Sequence, residues 1–389
     1  MIPSMADTIG EAEASGKESV VDDTASHAGG NPDGAVQILP PTDLPAQGDA
    51  AAAVQRLARA YVVPEALLAA LDGPLGGAIA TAAAYAGSAL SEATKRAYAR
   101  DWSHFAGWCR QQSVDPAALP IHPVLAAAYL ASLAGTLGRS ALNGRLAAIA
   151  HEHRRRGLAW NAGHPAIRET LQGVGRKHGK PVRPAAALTS VEIKQLLATC
   201  RDDLAGLRDR ALFLVGFAGA LRRSELVAID HDHLRFEAGG VTVNIPRSKR
   251  DQEGKGADVT LPRMRDAAGG VSATCPVQAL ERWLARARIR RGAVFRGVTV
   301  AGKLGERLSA DGVRHVLLSR AKLAELTVHA SERLSPHGLR AGFITEAYLA
   351  AAPDEQVMAH TRHLDHSTMR GYRRRARVTA DNPARLLDL

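Results

Sequence analysis

The stretch Gly239-Gly-Val-Thr-Val-Asn-Ile245 decides the fold class, because the hydrophobic period changes there from helical to alternating. Apolar and polar residues alternate through Ile245, and Val259-Thr-Leu261 repeats the pattern after a glycine-rich polar connection. Alternation with a period of two predicts a half-buried strand, and two such strands joined by a polar connection predict a β-ribbon. Long segments on both sides show helical periodicity. We therefore expect a mainly α-helical protein with a small β-ribbon or sheet, an α+β fold.

Helical patterns precede the ribbon from Ser91 onward. Tyr98, Trp102, Phe105 and Cys109 form one apolar stripe at helical spacing, which predicts a helix with its stripe in a core. Further helices are expected at Pro123–Leu137, Ser140–His153 and from Pro165 to about Val174.

A second group of elements begins at Thr189, where Thr189 and Glu192 have the spacing of a capping box. A helix over Leu207–Ala220 leads to the ribbon. The remaining expected helices are Pro276–Arg288, Ser309–Glu325, one that follows Pro336, and one around Thr368–Arg375.

These patterns predict five regions of different character. Residues 1–50 contain nine acidic residues and one basic residue without apolar periodicity, which is typical of a disordered acidic tail. Residues 51–90 form an alanine-rich helical extension, 91–174 a helical domain, 175–188 a basic linker interrupted by prolines, and 189–389 a second domain.

The charge of the chain points to a polyanionic partner. The 389 residues have a formal net charge of +11, and removing the acidic tail raises it to +19. Aromatic residues make up only 4%, which favours duplex phosphate over stacked single-stranded bases.

The cellular setting is also constrained by composition. The three cysteines are far apart and odd in number, so neither a disulfide framework nor a structural zinc site is expected. The sequence has no transmembrane-length apolar run and no signal-peptide pattern. We expect a bacterial-type cytoplasmic protein associated with the nucleoid, with no membrane contact.

Four short motifs in the second domain contain candidate catalytic residues. They are Ala220-Leu-Arg222-Arg-Ser-Glu225-Leu226, Pro246-Arg-Ser-Lys249-Arg250, Pro336-His337-Gly-Leu-Arg340 and His363-Leu-Asp-His-Ser-Thr-Met-Arg-Gly-Tyr372. His337 and Arg340 lie one helical turn apart, so both side chains can reach the same point. Each motif alone is weak, but their order over about 150 residues is hard to produce by chance.

The chain order Arg, Lys, His-x-x-Arg, His, Tyr resembles the signature of the tyrosine recombinase or phage integrase family. The resemblance covers the second domain, and the helical domain before it looks like the SAM-like core-binding domain of that family. It implies phosphoryl transfer from duplex DNA to a tyrosine, with an integrase-type catalytic domain and four protomers acting on two DNA sites. Accessory DNA-binding proteins are compatible with this arrangement.

The resemblance also implies a role for each matching residue. Arg222 and Arg340 would bind the nonbridging phosphate oxygens, a task for which planar guanidinium groups are suited. Tyr372 would be the nucleophile, and His337 its base, because a phenol of pKa about 10 needs activation at neutral pH. Lys249 would protonate the leaving oxygen and His363 would donate to the phosphate. Glu225 would orient Arg222 or His337, and no cofactor is required because the phosphotyrosine bond conserves the energy for religation.

Several assignments leave alternatives open. Lys255 competes with Lys249, which is favoured because it ends the apparent strand. Many relatives read Leu-Gly-His where this chain has Met358-Ala-His360-Thr-Arg-His363. The spacing to Tyr372 selects His363 and leaves His360 as a structural or phosphate-contacting alternative. His360, His363 and His366 do not have the spacing of a known zinc motif, so no metal site is expected. Candidate phosphate-contacting residues outside the motifs are Arg154, Arg155, Arg156, Arg176, Lys177 and Lys180.

The expected function is site-specific DNA recombination through a 3′-phosphotyrosyl intermediate, in the integration, excision or resolution of mobile DNA. A type IB topoisomerase shares this catalytic plan and is the nearest enzyme alternative. A DNA-binding relative without catalysis is a second alternative, which the complete set of catalytic residue types disfavours. The sequence does not distinguish integrase, resolvase and transposon roles.

Overall fold

The computed structural model describes residues 74–246, 256–363, 365–376 and 387. The predicted acidic tail, residues 51–73 and both candidate lysines, Lys249 and Lys255, lie outside the described residues. The chain divides into two compact units, with the division along the sequence between Lys180 and Pro181. In the part of the chain that the structure describes, no helix is long and apolar enough to cross a membrane.

The first unit is helical throughout its described part. Ser91 begins the second of its helices, and its hydroxyl accepts a hydrogen bond from the Thr94 amide at 3.2 Å. Phe105 and Cys109 of the predicted stripe are fully buried in the core of this unit. The helices are α1 (Pro74–Ser88), α2 (Glu92–Gln111), α3 (Pro123–Ser132), α4 (Arg139–Arg155) and α5 (Pro165–His178).

Two helix boundaries in this unit differ from the sequence prediction by more than two residues. Helix α3 ends at Ser132 and not at Leu137, since Gly135 follows in the left-handed region with φ of 82°. Helix α5 continues four residues past Val174, and its last turn contains Arg176, Lys177 and His178. Basic side chains at this end complement the helix dipole, which accounts for the longer helix.

The connection between the units is correspondingly shorter than the predicted linker. Ala186 and Leu188 are buried in the second unit. Their amides donate to the carbonyls of Arg333 and Gly338, each at 3.0 Å. The residues at the end of the predicted linker therefore form part of the second unit.

The second unit combines helices with two small sheets. The capping box at Thr189 is present, with the Glu192 carboxylate 2.7 Å from the Thr189 amide. The elements are α6 (Ser190–Ala198), α7 (Leu204–Ala218), α8 (Arg223–Ala228), β1 (Leu234–Glu237), β2 (Gly240–Ile245), β3 (Ala257–Pro262), α9 (Pro276–Ala287), β4 (Arg296–Val298), β5 (Leu304–Arg307), α10 (Ala310–Leu323), α11 (His337–Leu349), α12 (Asp354–Thr361) and α13 (His366–Ala376).

The predicted ribbon is β2 paired antiparallel with β3, with Val241 opposite Leu261 and Val243 opposite Val259. These four side chains are buried, as the alternation predicts. Strand β1 joins the other edge of β2, and β4 pairs with β5 in a separate two-stranded sheet. The sequence analysis does not identify β1, because its apolar–polar alternation spans only four residues, three of which are exposed.

Helix α7 forms the centre of the second unit. Leu212, Phe213 and Val215 are fully buried, and Trp283 of α9 is buried in the same core with its indole donating to the Val294 carbonyl at 2.8 Å. After α7 the chain turns at Ala220, which has φ of 45°. This turn places Arg222 at the start of α8, directly after the buried helix α7.

Candidate active site

Arg222 and Glu225 are fixed together at the start of α8. The Glu225 carboxylate accepts the backbone amide of Arg222 at 2.9 Å and the Arg222 Nη1 at 2.6 Å. Its side chain is only 1% exposed, whereas that of Arg222 is 19% exposed. Glu225 therefore contacts both the backbone and the guanidinium of Arg222, one of the two residues that the sequence analysis expects it to orient.

Glu225 remains ionised although it is buried. Burial raises its pKa, but the Arg222 amide, the charge of Arg362 and the Arg222 side chain outweigh burial and lower the pKa below its ordinary value. Arg362 Nη2 lies 2.6 Å from Glu225 Oε2. The carboxylate thus pairs with two guanidinium groups at once.

Arg340 of α11 is buried beneath these groups and is 1% exposed. Its Nη1 donates to the Ala220 carbonyl at 2.6 Å, and its Nη2 donates to the Thr361 carbonyl. Burial and the neighbouring charge of Arg222 lower the pKa of Arg340 to about 9. The side chain therefore connects the turn before Arg222 with the end of α12 and stays charged at neutral pH.

A close approach of two backbone segments positions α11. A Cβ added at Gly342 would lie 1.8 Å from the Leu188 carbonyl oxygen, and one at Gly338 would lie 2.5 Å from that of Ala186. Only glycine fits at such distances. Gly338, inside the motif, and Gly342, two residues after Arg340, thus allow α11 to pack against the segment before α6.

His363 follows the end of α12 and lies beside Arg340. Thr361 Oγ1 donates to the Val357 carbonyl at 2.6 Å, so its oxygen accepts from His363 Nδ1 at 2.8 Å. His363 Nε2 is 3.2 Å from Arg340 Nη2. In this arrangement the proton of a neutral His363 lies on Nδ1, and a second proton on Nε2 would make that nitrogen a donor.

Tyr372 of α13 lies near His363. It is 8% exposed and packs in a small cluster with Ile344, Tyr348 and Met369. Its hydroxyl oxygen lies 3.0 Å from Nε2 of His337, the first residue of α11. A neutral imidazole can accept the phenol proton at this distance, which is the geometry that a base requires.

The predicted site residues fall into three groups. Arg222, Glu225, His337, Arg340, His363 and Tyr372 lie together, linked by the contacts above. Lys249 and Lys255 are outside the described residues. The candidate phosphate contacts are all in the first unit. Four of them are exposed: Arg154, Arg176, Lys177 and Lys180. The other two, Arg155 and Arg156, form ion pairs with Glu152 at 2.9 and 2.8 Å.

His360 has a packing role in this structure. Its Nε2 lies 2.8 Å from the Ala218 carbonyl oxygen, and its ring stacks on Phe343 with centroids 4.7 Å apart. Burial lowers its pKa, so the neutral ring is favoured. Of the two alternatives, His363 is therefore the one beside the arginines. In the described residues, the groups that could converge on a metal ion are Asp230, Asp232 and His233, which include none of the three histidines.

Arg362 is the residue that the sequence interpretation missed. It ends α12 with φ of 57° and ψ of 43°, a left-handed conformation that costs a residue with a Cβ about 1–2 kcal/mol. The sequence of this chain does not mark Arg362, because an arginine at the end of a helix is ordinarily a solvent-exposed cap. An arginine where the backbone favours glycine suggests that its side chain is needed.

Comparison with known proteins identifies the same family that the sequence motifs resemble. A model described as "Phage integrase family" matches residues 186–377. The integrase/recombinase xerD homolog of Selenomonas ruminantium is 33% identical over 296 residues, covering 74% of this chain and 83% of that protein. Tyrosine recombinase XerD of Pseudomonas aeruginosa strain PAO1 is 31% identical over 225 residues, covering 57% of this chain and 65% of that protein.

The fold is also that of solved recombinases. The crystal structure of the XerH site-specific recombinase, in a post-cleavage complex with a palindromic difH substrate, matches with a TM-score of 0.52 and 18% identity. The match covers 70% of this chain and 74% of the XerH chain. The α+β fold expected from the sequence is thus confirmed, and the chain belongs to the phage integrase family as a tyrosine-type site-specific recombinase that cleaves and rejoins DNA.

Proposed function

We propose that Tyr372 is the nucleophile and that the arginine pocket beside it holds the scissile phosphate of duplex DNA. The observation that carries this proposal is the 3.0 Å contact between the Tyr372 hydroxyl and His337 Nε2, beside Arg340 and His363. Phosphoryl transfer depends mainly on positioning and on charge stabilisation, both of which this pocket can supply.

The chemistry divides among the residues as follows. His337 removes the proton from Tyr372, and the phenolate oxygen attacks phosphorus to form a 3′-phosphotyrosyl bond. The bond from phosphorus to the 5′ oxygen breaks, and that oxygen takes a proton from Lys249 or, as the alternative, Lys255. The reverse sequence with a 5′ hydroxyl from another strand rejoins the DNA, so atoms and charge balance without a cofactor.

Positive charge in excess supports phosphate binding at this point. The guanidinium groups of Arg222 and Arg362 both bind the carboxylate of Glu225, and the charges of these two arginines contribute to the lowered pKa of Arg340. A phosphodiester carries one negative charge, and it would offset these positive charges. His363, when protonated on Nε2 as well, would add a hydrogen bond to the same phosphate.

The first unit is proposed to hold the duplex around the cleaved strand. Arg154 at the end of α4, with Arg176 and Lys177 at the end of α5, are exposed basic residues suited to sequence-independent phosphate contacts. Four protomers on two sites would complete the exchange, as the family resemblance implies. The protein would act on the nucleoid in the cytoplasm, with accessory DNA-binding proteins compatible with this setting.

The test is covalent capture on nicked duplexes whose central sequence is randomised, since the nick lets the short 5′ fragment leave and prevents religation. We expect wild-type protein to form a complex that survives denaturing electrophoresis, and Tyr372→Phe to bind the same DNA without forming it. No covalent complex with the wild-type protein, or an equal yield with Tyr372→Phe, would contradict the proposal. Captured sequences, placed in pairs, then test strand exchange between two sites.

A further inference from the structure

Arg362 combines two unfavourable features in one residue. Its backbone is left-handed at the end of α12, with φ of 57°, where a side chain is strained. Its guanidinium is buried, and within the described residues nothing accepts a hydrogen bond from its Nε or Nη1. Burial and the charge of Arg222 also lower its pKa against the opposing effect of Glu225. Strained, incompletely bonded residues persist where function requires them.

The contact that Arg362 does make is with the carboxylate that orients Arg222. Arg362 Nη2 lies 2.6 Å from Glu225 Oε2, and the Arg222 amide shares the same oxygen at 2.9 Å. Arg222 Nη1 binds the other oxygen, Oε1, at 2.6 Å. Both carboxylate oxygens are thus occupied, and Arg222 contacts Glu225 through one guanidinium nitrogen.

We propose that Arg362 is a positioning residue that keeps Arg222 available for the scissile phosphate. An arginine next to a carboxylate tends to close on it with two parallel hydrogen bonds. Arg362 occupies Oε2 and so prevents this closure, which leaves the Nε and Nη2 edge of Arg222 to bind an anion. It also adds a positive charge beside the phosphate.

This inference rests on the proposed function, because it assigns Arg222 to the phosphate. It concerns the orientation of one side chain and not the nucleophile or the duplex contacts. Loss of Arg362 is therefore expected to slow DNA cleavage while leaving DNA binding and folding intact.

A matched pair of glycine substitutions tests the inference. Arg288 ends α9 in the same conformation, with φ of 54° and ψ of 37°, but is exposed. Arg362→Gly and Arg288→Gly therefore relieve the same backbone strain, and neither is expected to lower Tm. We expect Arg362→Gly to slow formation of the covalent complex about 10- to 100-fold, the effect of a misplaced catalytic group, with unchanged DNA affinity. Arg288→Gly should cleave at the wild-type rate.

A third variant tests whether the positive charge of Arg362 contributes to cleavage. Arg362→Lys keeps a positive charge beside Glu225 and is expected to recover part of the rate lost in Arg362→Gly. A lysine variant no faster than the glycine variant would contradict the inference. So would wild-type cleavage by Arg362→Gly, or a fall in its Tm and DNA affinity in parallel with cleavage. If wild-type protein forms no covalent complex, the proposed function itself fails and this inference with it.

Discussion

The second unit contains two buried clusters in which arginines share one carboxylate, and they differ in how completely their hydrogen bonds are formed. In the structural cluster, Arg208, Asp209 and Arg320, each arginine binds one carboxylate oxygen through two nitrogens at 2.5–2.8 Å. Arg320 Nη1 also donates to the Thr199 carbonyl at 2.5 Å. The site cluster, Arg222, Glu225, Arg340 and Arg362, has three guanidinium groups around one carboxylate.

The difference shows what separates a cluster that stabilises the fold from one that is proposed to bind an anion. The structural cluster completes its hydrogen bonds with protein groups and ties α7 to α10. The site cluster keeps a surplus of positive charge. Its Arg362 has a left-handed backbone, and no described residue accepts a hydrogen bond from the Nε or Nη1 of that arginine. Charge that the protein leaves unneutralised in a buried pocket indicates where a negative ligand belongs.

Removing one arginine from each cluster should produce the largest contrast. We expect Arg222→Ala and Arg340→Ala each to lower cleavage about 1,000- to 100,000-fold, the range that a phosphate-binding arginine contributes to phosphoryl transfer. DNA affinity should be nearly unchanged, as measured by a mobility shift.

The control for this prediction is Arg320→Ala, assayed at a temperature where it remains folded. It should cleave at the wild-type rate per folded molecule. Parallel loss of DNA affinity in the two site variants would instead make Arg222 and Arg340 structural residues.

Substitution in the structural cluster should lower the free energy of unfolding more than loss of an exposed ion pair does. Asp209→Ala leaves two buried guanidinium groups without their carboxylate, so we expect the free energy of unfolding to fall by about 3–5 kcal/mol in denaturant titrations. Asp202→Ala is the control, because Asp202 is exposed and pairs with exposed Arg282. Its effect should be within about 1 kcal/mol. Equal effects of the two variants would remove the distinction between buried and exposed pairs.

Acid should reduce the contribution of the site cluster to the free energy of unfolding, by less than the loss expected for Asp209→Ala. The pKa of Glu225 is lower in the folded state than its ordinary value of 4.5, so folding favours the ionised form. Its contribution to the free energy of unfolding is present above pH 4.5 and is lost as the pH falls through the lower folded-state pKa. The stability difference between wild type and Glu225→Gln should therefore narrow below pH 4.5 in denaturant titrations. A difference independent of pH would show that the charge of Glu225 does not stabilise the fold.

The sequence predicted the parts of the site that local patterns encode. His337 and Arg340 lie one turn apart on α11, and His363 precedes α13, which contains Tyr372 nine positions further on. The structure brings these four side chains together. The strand alternation and the capping box at Thr189 are equally local, and both are present.

Features that depend on distant partners could not be predicted in this way. Asp209 and Arg320 lie 111 residues apart, and neither flanking sequence indicates the other. Strand β1 is an edge strand of four residues, too short for its alternation to stand out from the sequence around it. Arg362 looked like an ordinary polar residue after a helix, since only the fold shows that its backbone is left-handed and that its side chain reaches Glu225.

The most direct test of the account is to locate the covalent bond between protein and DNA. After capture on a nicked duplex, nuclease and trypsin digestion should leave a nucleotide attached through its 3′ phosphate to Tyr372, within the peptide Gly371-Tyr-Arg373 that the flanking arginines define. Mass spectrometry that finds the phosphate on this tyrosine is the predicted result. A phosphate on any other residue, or a 5′ linkage, would contradict the assignment of Tyr372 and of the arginine pocket beside it.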